Sequence, residues 1–265
     1  MTDKRGAYET IILEIEDRIA TITLNRPEVL NASSAKMREE LPDAINVVGY
    51  DKDVRVVVIT GAGSAFCAGA DLKGVLAAER GMRFLDRGSA LVKLPITMRN
   101  IPKPIIASIN GAAVGFGFSL ALACDIRIAS EDAKFGAGFT RIGYVPEFGS
   151  TYYLTRIAGI GNACELVFSN RIIDAKEAKE MGIVNRIVEA SKLRDVTSRM
   201  AAMAAKGAPV ATQLAKLLLH QGMDKDFESQ RESEILAMTI CDQTEDSEEG
   251  MRAFLEKRQP KWKSK

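Results

Sequence analysis

Two β-branched runs constrain this chain more than anything else in it. Val54–Thr60 and Pro104–Ile109 are almost continuously apolar, and each stops at a turn, Gly61 or Asn110-Gly111. A run with no polar alternation has no solvent face, so it suits a parallel sheet covered on both sides. Glycine-rich sequence follows each run and leads into helix-forming residues, Gly69–Glu79 and Gly115–Ala123. Asp125–Ala129 with a helix over Phe148–Ile157 makes a third unit. Repeated strand–crossover–strand units give an α/β class with helices covering the sheet.

The flanks have other characters. Thr10–Glu14 and Arg18–Asn25 read as strands of a hairpin turning at Glu16-Asp17. Ser33 or Ser34 can cap a helix carrying Met37, Leu41, Ile45 and Val48 on one face, with Pro42 a local irregularity. From Ala175 the pattern is helical: Ala175–Met181, Lys192–Ala205, Pro209–Gln221, Phe227–Ile240 and Ser247–Arg258, punctuated by glycines at 182, 207, 222 and 250. The expected organisation is an α/β core over residues 1–190 and a helical region over 191–265. The tail can fold back on the core or build a subunit interface.

Several function classes are excluded at this level. With 36 Lys+Arg against 35 Asp+Glu, the chain does not work by coating nucleic acid or acidic lipid. One histidine, His220, argues against His-rich metal sites and Ser-His or Cys-His nucleophiles, so no metal is expected. The scattered cysteines Cys67, Cys124, Cys164 and Cys241 read as free thiols of a reducing compartment. The opening run has no apolar stretch behind its charges, no membrane span is found, and the expected location is the cytoplasm.

The chemistry concentrates in two loops. Gly61–Lys73 and Asn110–Leu120 each leave a sheet strand and open a helix, and small residues there let backbone N–H groups point outward uncovered. Two converging N–H groups would make an oxyanion hole for a carbonyl gaining negative charge. Ordinary tight turns are the alternative. Neither loop has the spacing of a phosphate-binding motif.

Asn25-Arg-Pro-Glu-Val-Leu-Asn-Ala32, Thr60–Lys73, Lys103–Gly117, Ala123-Cys-Asp-Ile-Arg-Ile-Ala129, Arg171–Ala178 with Gly182–Arg186, and Glu249–Arg258 run in order along nearly the whole chain. Together they resemble the enoyl-CoA hydratase/isomerase, or crotonase, superfamily. The resemblance implies a crotonase-like spiral of ββα units with a C-terminal helical trimerisation region, forming a homotrimer or a dimer of trimers. It implies an acyl-CoA thioester substrate, with coenzyme A present only as part of that substrate and no permanently bound cofactor. The thioester oxygen would sit between the N–H groups of Ala70 and Phe116, the latter replacing the middle glycine of the family's usual run. Arg26, Glu28 and Val29 would flank the adenine–ribose end, with Ala68, Leu72 and Lys73 along the pantetheine path. Phe254 and Lys257 would close over coenzyme A, often from a neighbouring subunit.

The family's two hydratase carboxylates fall here on Ser119 and Phe139, and neither side chain is a base at neutral pH. Glu147, just ahead of a helix, matches the single acidic base of Δ3,Δ2-enoyl-CoA isomerases. It would act in a pocket with Phe139, Phe148 and Tyr152, where desolvation would raise its pKa. Its alternative role is to cap the helix beginning near Ser150. The resemblance thus implies an isomerase shifting a 3-enoyl double bond to the 2-position. Alternatives are an atypical hydratase or hydrolase in which Glu147 activates water on an alicyclic, aromatic or branched acyl group, a non-catalytic RNA-binding member, and an inactive coenzyme-A-binding scaffold. Asp71 reads as fixing its loop, Arg141 as surface, His220 as structural, and Tyr153 as pocket or core. Ala77–Leu94 is expected to roof the acyl pocket.

Overall fold

A computed structural model describes residues 8–77 and 90–263. It opens with β1 (Ile11–Glu16) and β2 (Ile19–Leu24), an antiparallel hairpin. Its turn is Asp17-Arg18, one residue beyond the expected position, because both residues take left-handed φ values of 48° and 65°. That pair of conformations matches the twist of the strands it joins. Helix α1 (Ala35–Tyr50) follows, capped by Ser34, whose hydroxyl accepts from the Met37 N–H at 3.2 Å. Pro42 lies inside this helix on the buried face without ending it.

A strand–strand–helix pattern then repeats. The units are β3 (Val56–Gly61), β4 (Ala65–Cys67) and α2 (Leu72–Ala77); then α3 (Ala90–Asn100); then β5 (Ile105–Ile109), β6 (Ala112–Val114) and α4 (Phe116–Ala123). Next come β7 (Ile126–Ser130), β8 (Lys134–Gly136) and α5 (Ser150–Ser169), followed by β9 (Ile173–Asp174), α6 (Ala175–Glu180) and β10 (Arg186–Val188). In each repeat the first strand joins one sheet and the second joins another. One sheet has the order β1-β2-β3-β5-β7-β10, parallel from β2 onward, and the other has the order β4-β6-β8-β9. This is the spiral of ββα units that the resemblance implies.

The second sheet lies in segments that read from sequence as glycine-rich loops. Its strands are two or three residues long, too short for a period-2 pattern to show. Their turns depend on close backbone approach: a Cβ at Gly111 would overlap the Ser64 carbonyl. Asn110 ties the same corner, accepting from the Gly61 N–H at 3.2 Å and donating to the carbonyls of Gly63 and Ala65.

Every residue of α4 is buried, so this helix is apolar all round and forms the centre of the core. Helix α7 (Leu193–Ala204) covers the opposite face of the large sheet, with Leu193 and Ala201 packed on Val56, Val58, Ile106 and Ile128. Helix α8 (Pro209–Gln221) is pinned back onto the core by two side chains. Lys216 Nζ lies 3.0 Å from Asp125 Oδ2 and donates to the carbonyls of Met98 and Lys103, and His220 Nε2 lies 2.6 Å from Asp125 Oδ1. Helices α9 (Phe227–Asp242) and α10 (Glu245–Leu255) instead expose Phe227, Leu236, Met238, Met251, Phe254 and Leu255. Gly250 does not punctuate; it lies inside α10, where a Cβ would press on the Trp262 ring at 3.2 Å. No helix of the described residues is long and apolar enough to cross a membrane.

Candidate active site

The first candidate donor, the Ala70 N–H, is set by strand pairing. Residues 30–33 run beside residues 68–71: the Ala68 N–H donates to Leu30 O, Ser33 N–H to Gly69 O at 2.8 Å, and Asp71 N–H to Ser33 O at 3.0 Å. The Gly69 carbonyl and the Ala70 N–H belong to one trans peptide and point in opposite directions. With the carbonyl turned to Ser33, the Ala70 N–H faces away from Ser33. Among the described residues it has no acceptor.

The second candidate donor is the Phe116 N–H. Phe116 is the first residue of α4, so its N–H has no partner within the helix. Gly115 adopts φ 54° and ψ −118°, open essentially to glycine alone, and its N–H donates to Gly136 O. A methyl added there would lie 3.7 Å from the Gly69 Cα, so the two loops run side by side. The Phe116 side chain is directed into the core and packs edge-on against Phe148, with ring centroids 5.3 Å apart. The Phe116 ring is thus held within the core by Phe148.

Gly117 allows this closeness. A Cβ at Gly117 would overlap the Cys67 carbonyl oxygen and lie 2.7 Å from the Cys67 Cβ. We expect Gly117→Ala to push α4 away from β4, destabilise the fold by about 1–3 kcal/mol as overpacking does, and reduce turnover further by separating the donors. A urea titration and kcat measured together check this; wild-type values for both would show that the two backbones need not touch.

Glu147 directly precedes Phe148, the ring that packs on Phe116. Phe148 (φ 60°) and Gly149 (φ 73°) are both left-handed, producing a sharp bend before α5. The Ser150 N–H is accepted by the Glu147 backbone carbonyl at 3.0 Å, so the capping role falls to the main chain and the carboxylate stays uncommitted. Burial pushes its pKa above the ordinary glutamate value, and the charge of Arg38 offsets part of that. Phe139 is buried near the short turn at Thr140–Ile142, and Ser119 is buried with no partner for its hydroxyl among the described residues.

The remaining positions divide. Glu28, Val29, Leu72 and Lys73 are exposed around the loop entrance. Phe254 is 85% exposed on α10, and Lys257 follows that helix, also exposed. Arg26 is engaged within the protein, bonding to Ala32 O at 2.7 Å and Asp71 Oδ2 at 3.1 Å. The Ala68 N–H is likewise used. Tyr152 donates to Asp224 Oδ1 at 2.6 Å and lies beneath the Arg156 guanidinium, whereas Tyr153 packs against Gly149 beside Glu147. Nothing local in the sequence marks Arg38, whose charge acts on Glu147 from α1, distant in the chain. Of the expected roof, residues 78–89 lie outside the described residues. A cavity of about 480 Å³ between α1, α7 and α8, lined by Tyr50, Arg55, Lys103 and Lys263, includes none of Ala70, Phe116 and Glu147.

Comparisons with known proteins show the family and the fold. Residues 14–265 match the family described as enoyl-CoA hydratase/isomerase. A crotonyl-CoA hydratase of Syntrophomonas wolfei is 37% identical over 262 residues, covering 98% of this chain and all of the relative. A mitochondrial methylglutaconyl-CoA hydratase of Homo sapiens is 36% identical over 95% of this chain and 76% of its own. Among solved structures, an enoyl-CoA hydratase from Bacillus anthracis superposes with a TM-score of 0.93 at 35% identity, covering 97% of this chain and all of that one. On the residues matched, the coverage and the shared fold, the chain belongs to the enoyl-CoA hydratase/isomerase family.

Proposed function

We propose that this protein is an acyl-CoA isomerase that moves a carbon–carbon double bond from the 3- to the 2-position. The observation carrying this reading is one desolvated carboxylate, on Glu147 next to the Phe148 ring that packs on Phe116, while the resemblance puts Ser119 and Phe139, neither of them a base, at the family's hydratase carboxylates. The thioester oxygen accepts from the Ala70 and Phe116 N–H groups. Glu147 takes a proton from C2, the electron pair spreads through a dienolate, and the same carboxyl returns a proton at C4, leaving the bond between C2 and C3. Moving a proton between two carbons needs one base, whereas hydration must also orient water.

Coenzyme A enters only as part of the substrate. The exposed apolar residues of α9 and α10 suit self-association into a homotrimer or a dimer of trimers, with Phe254 and Lys257 closing over a neighbour's coenzyme A. The second reading, an atypical hydratase with Glu147 activating water, is favoured by the relatives' names.

Incubating 3-hexenoyl-CoA and crotonyl-CoA separately in deuterated buffer tests the two. Isomerisation predicts 2-hexenoyl-CoA with deuterium at C2 or C4 and little 3-hydroxyacyl-CoA; rapid formation of the hydroxyacyl product from crotonyl-CoA would establish the hydratase. The pH profile has a definite sign. Glu147 is a base only when ionised, and burial raises its pKa, so kcat/KM falls as pH drops through a value above the ordinary glutamate range. An acid limb at or below that range would remove Glu147 as the base.

A further inference from the structure

We propose that Arg26 and Asp71 form a positioning clamp that aims the Ala70 N–H and cancels a negative charge beside the oxyanion hole. The inference rests on the oxyanion reading above, but not on which reaction follows. Arg26 Nη1 donates to Ala32 O at 2.7 Å and to Asp71 Oδ2 at 3.1 Å, and Nη2 donates to the same carboxylate oxygen at 3.1 Å. One planar guanidinium thus bridges residues 45 apart in sequence. Its own main chain is fixed: the Arg26 N–H donates to Asn31 Oδ1 at 2.9 Å, and the buried Asn31 donates to the carbonyls of Ala62 and Ala65.

Asp71 is held on three sides. Its N–H is on Ser33 O, Oδ1 accepts from the Gly74 N–H at the start of α2, and Oδ2 lies on Arg26. The Ala70 peptide is therefore suspended between two anchored residues, Gly69 and Asp71, and its orientation follows theirs. Arg26 ties the second anchor back to Ala32, next to Ser33, which supplies both pairing bonds. The clamp closes the ladder that directs the donor.

Charge gives the pair a second consequence. An isolated carboxylate one residue from the hole would oppose the negative charge that develops on the thioester oxygen. Burial alone would raise the Asp71 pKa, yet the Gly74 N–H and Arg26 hold it below the ordinary value, so the group stays ionised and its neutralisation depends on Arg26. Removing Arg26 alone is then worse than removing both charges. This reading gives Arg26 a different task from flanking the adenine end of coenzyme A.

The test compares Arg26→Gln, Asp71→Asn and the double variant, using 3-hexenoyl-CoA turnover, unacylated coenzyme A binding, and the carbonyl stretch of bound carbonyl-¹³C crotonyl-CoA. We expect Arg26→Gln to lower kcat about 10–100-fold, as small misplacements in an active site do. KM and the coenzyme A Kd should change little, and the binding-induced red shift of the carbonyl should shrink. The double variant should recover part of both losses. A weakened coenzyme A Kd with kcat and the red shift unchanged would overturn the proposal and make Arg26 a coenzyme A ligand. So would a double variant no better than Arg26→Gln. Thermal melts identify any variant that does not fold, and Arg26→Lys, which keeps the charge but loses the fork, then carries the comparison. If the wild type moves no double bond, the carbonyl shift still reports the clamp, so failure of the isomerase reading is distinguishable from failure of this one.

Discussion

Glu147→Gln is expected to lower double-bond migration by about 10²–10⁴-fold, the range a positioned acid–base group supplies, while coenzyme A thioester binding stays nearly unchanged. Gln is isosteric, so the bend made by Phe148 and Gly149 and the Ser150-to-Glu147 main-chain bond persist. Only the proton acceptor is lost. Stability should shift in the opposite direction from activity. A carboxyl whose folded pKa lies above its unfolded value weakens the fold at pH values where it is ionised, and that penalty disappears at low pH. At neutral pH the variant should therefore melt higher than wild type, and the gain should vanish on acidification. Single-turnover kinetics, a binding titration with crotonyl-CoA and melts at two pH values check the three parts. Near-normal migration by the variant would remove Glu147 from the mechanism.

Asp125→Ala should cost about 3–5 kcal/mol, because it leaves the buried Lys216 ammonium without its counter-charge. For a chain of this size that corresponds to a Tm lower by roughly 6–20 °C. The carboxylate holds several elements at once: the Ile105 N–H at the start of β5 at 2.7 Å, Lys216 and His220 on α8. Burial alone would push its pKa up, but the His220 hydrogen bond and the Lys216 charge outweigh burial and hold it below the ordinary aspartate range. This contribution to stability is present above the unfolded pKa and is lost as pH falls through the depressed folded value. Replacing both charges, Asp125→Leu with Lys216→Met, should recover much of the loss, since apolar groups of similar volume often substitute for buried ion pairs. Urea denaturation of both variants measures this; a single-variant loss under about 1 kcal/mol would mean that α8 is held by packing alone.

On the proposed function, acid denaturation and catalysis depend on different carboxylates. Asp125 loses stabilising interactions on protonation, whereas Glu147 loses its function as a base and gains comfort in its apolar surroundings. The pH at which activity falls should therefore lie above the pH at which the fold weakens.

Much of the candidate site is legible in the chain itself. Glu147 stands out because the resemblance puts Ser119 and Phe139 at the family's carboxylate positions, and the lack of a basic group there is a property of those residues alone. The glycines at 69, 115 and 117 announce close backbone approach, and the Ser34 cap and the buried run of β3 are equally local. The pocket residues are less legible. Tyr152 and Tyr153 are adjacent in sequence, yet one reaches Asp224 and the other packs against Gly149, a distinction made by the direction in which α5 leaves its bend.

The sequence by itself determined which residues can bend, cap, stay dry or carry a proton, since those properties follow from side-chain volume, φ freedom and ionisation. Only the tertiary structure decided where the chemistry is aimed. The Ala70 N–H turns away from Ser33 because Ser33 pairs with its neighbours, Arg26 bonds Asp71 across 45 residues, and His220 meets Asp125 across 95. Backbone N–H groups are identical at every position but proline. Their function comes from direction, and direction is fixed by strands and ion pairs between segments far apart in the chain.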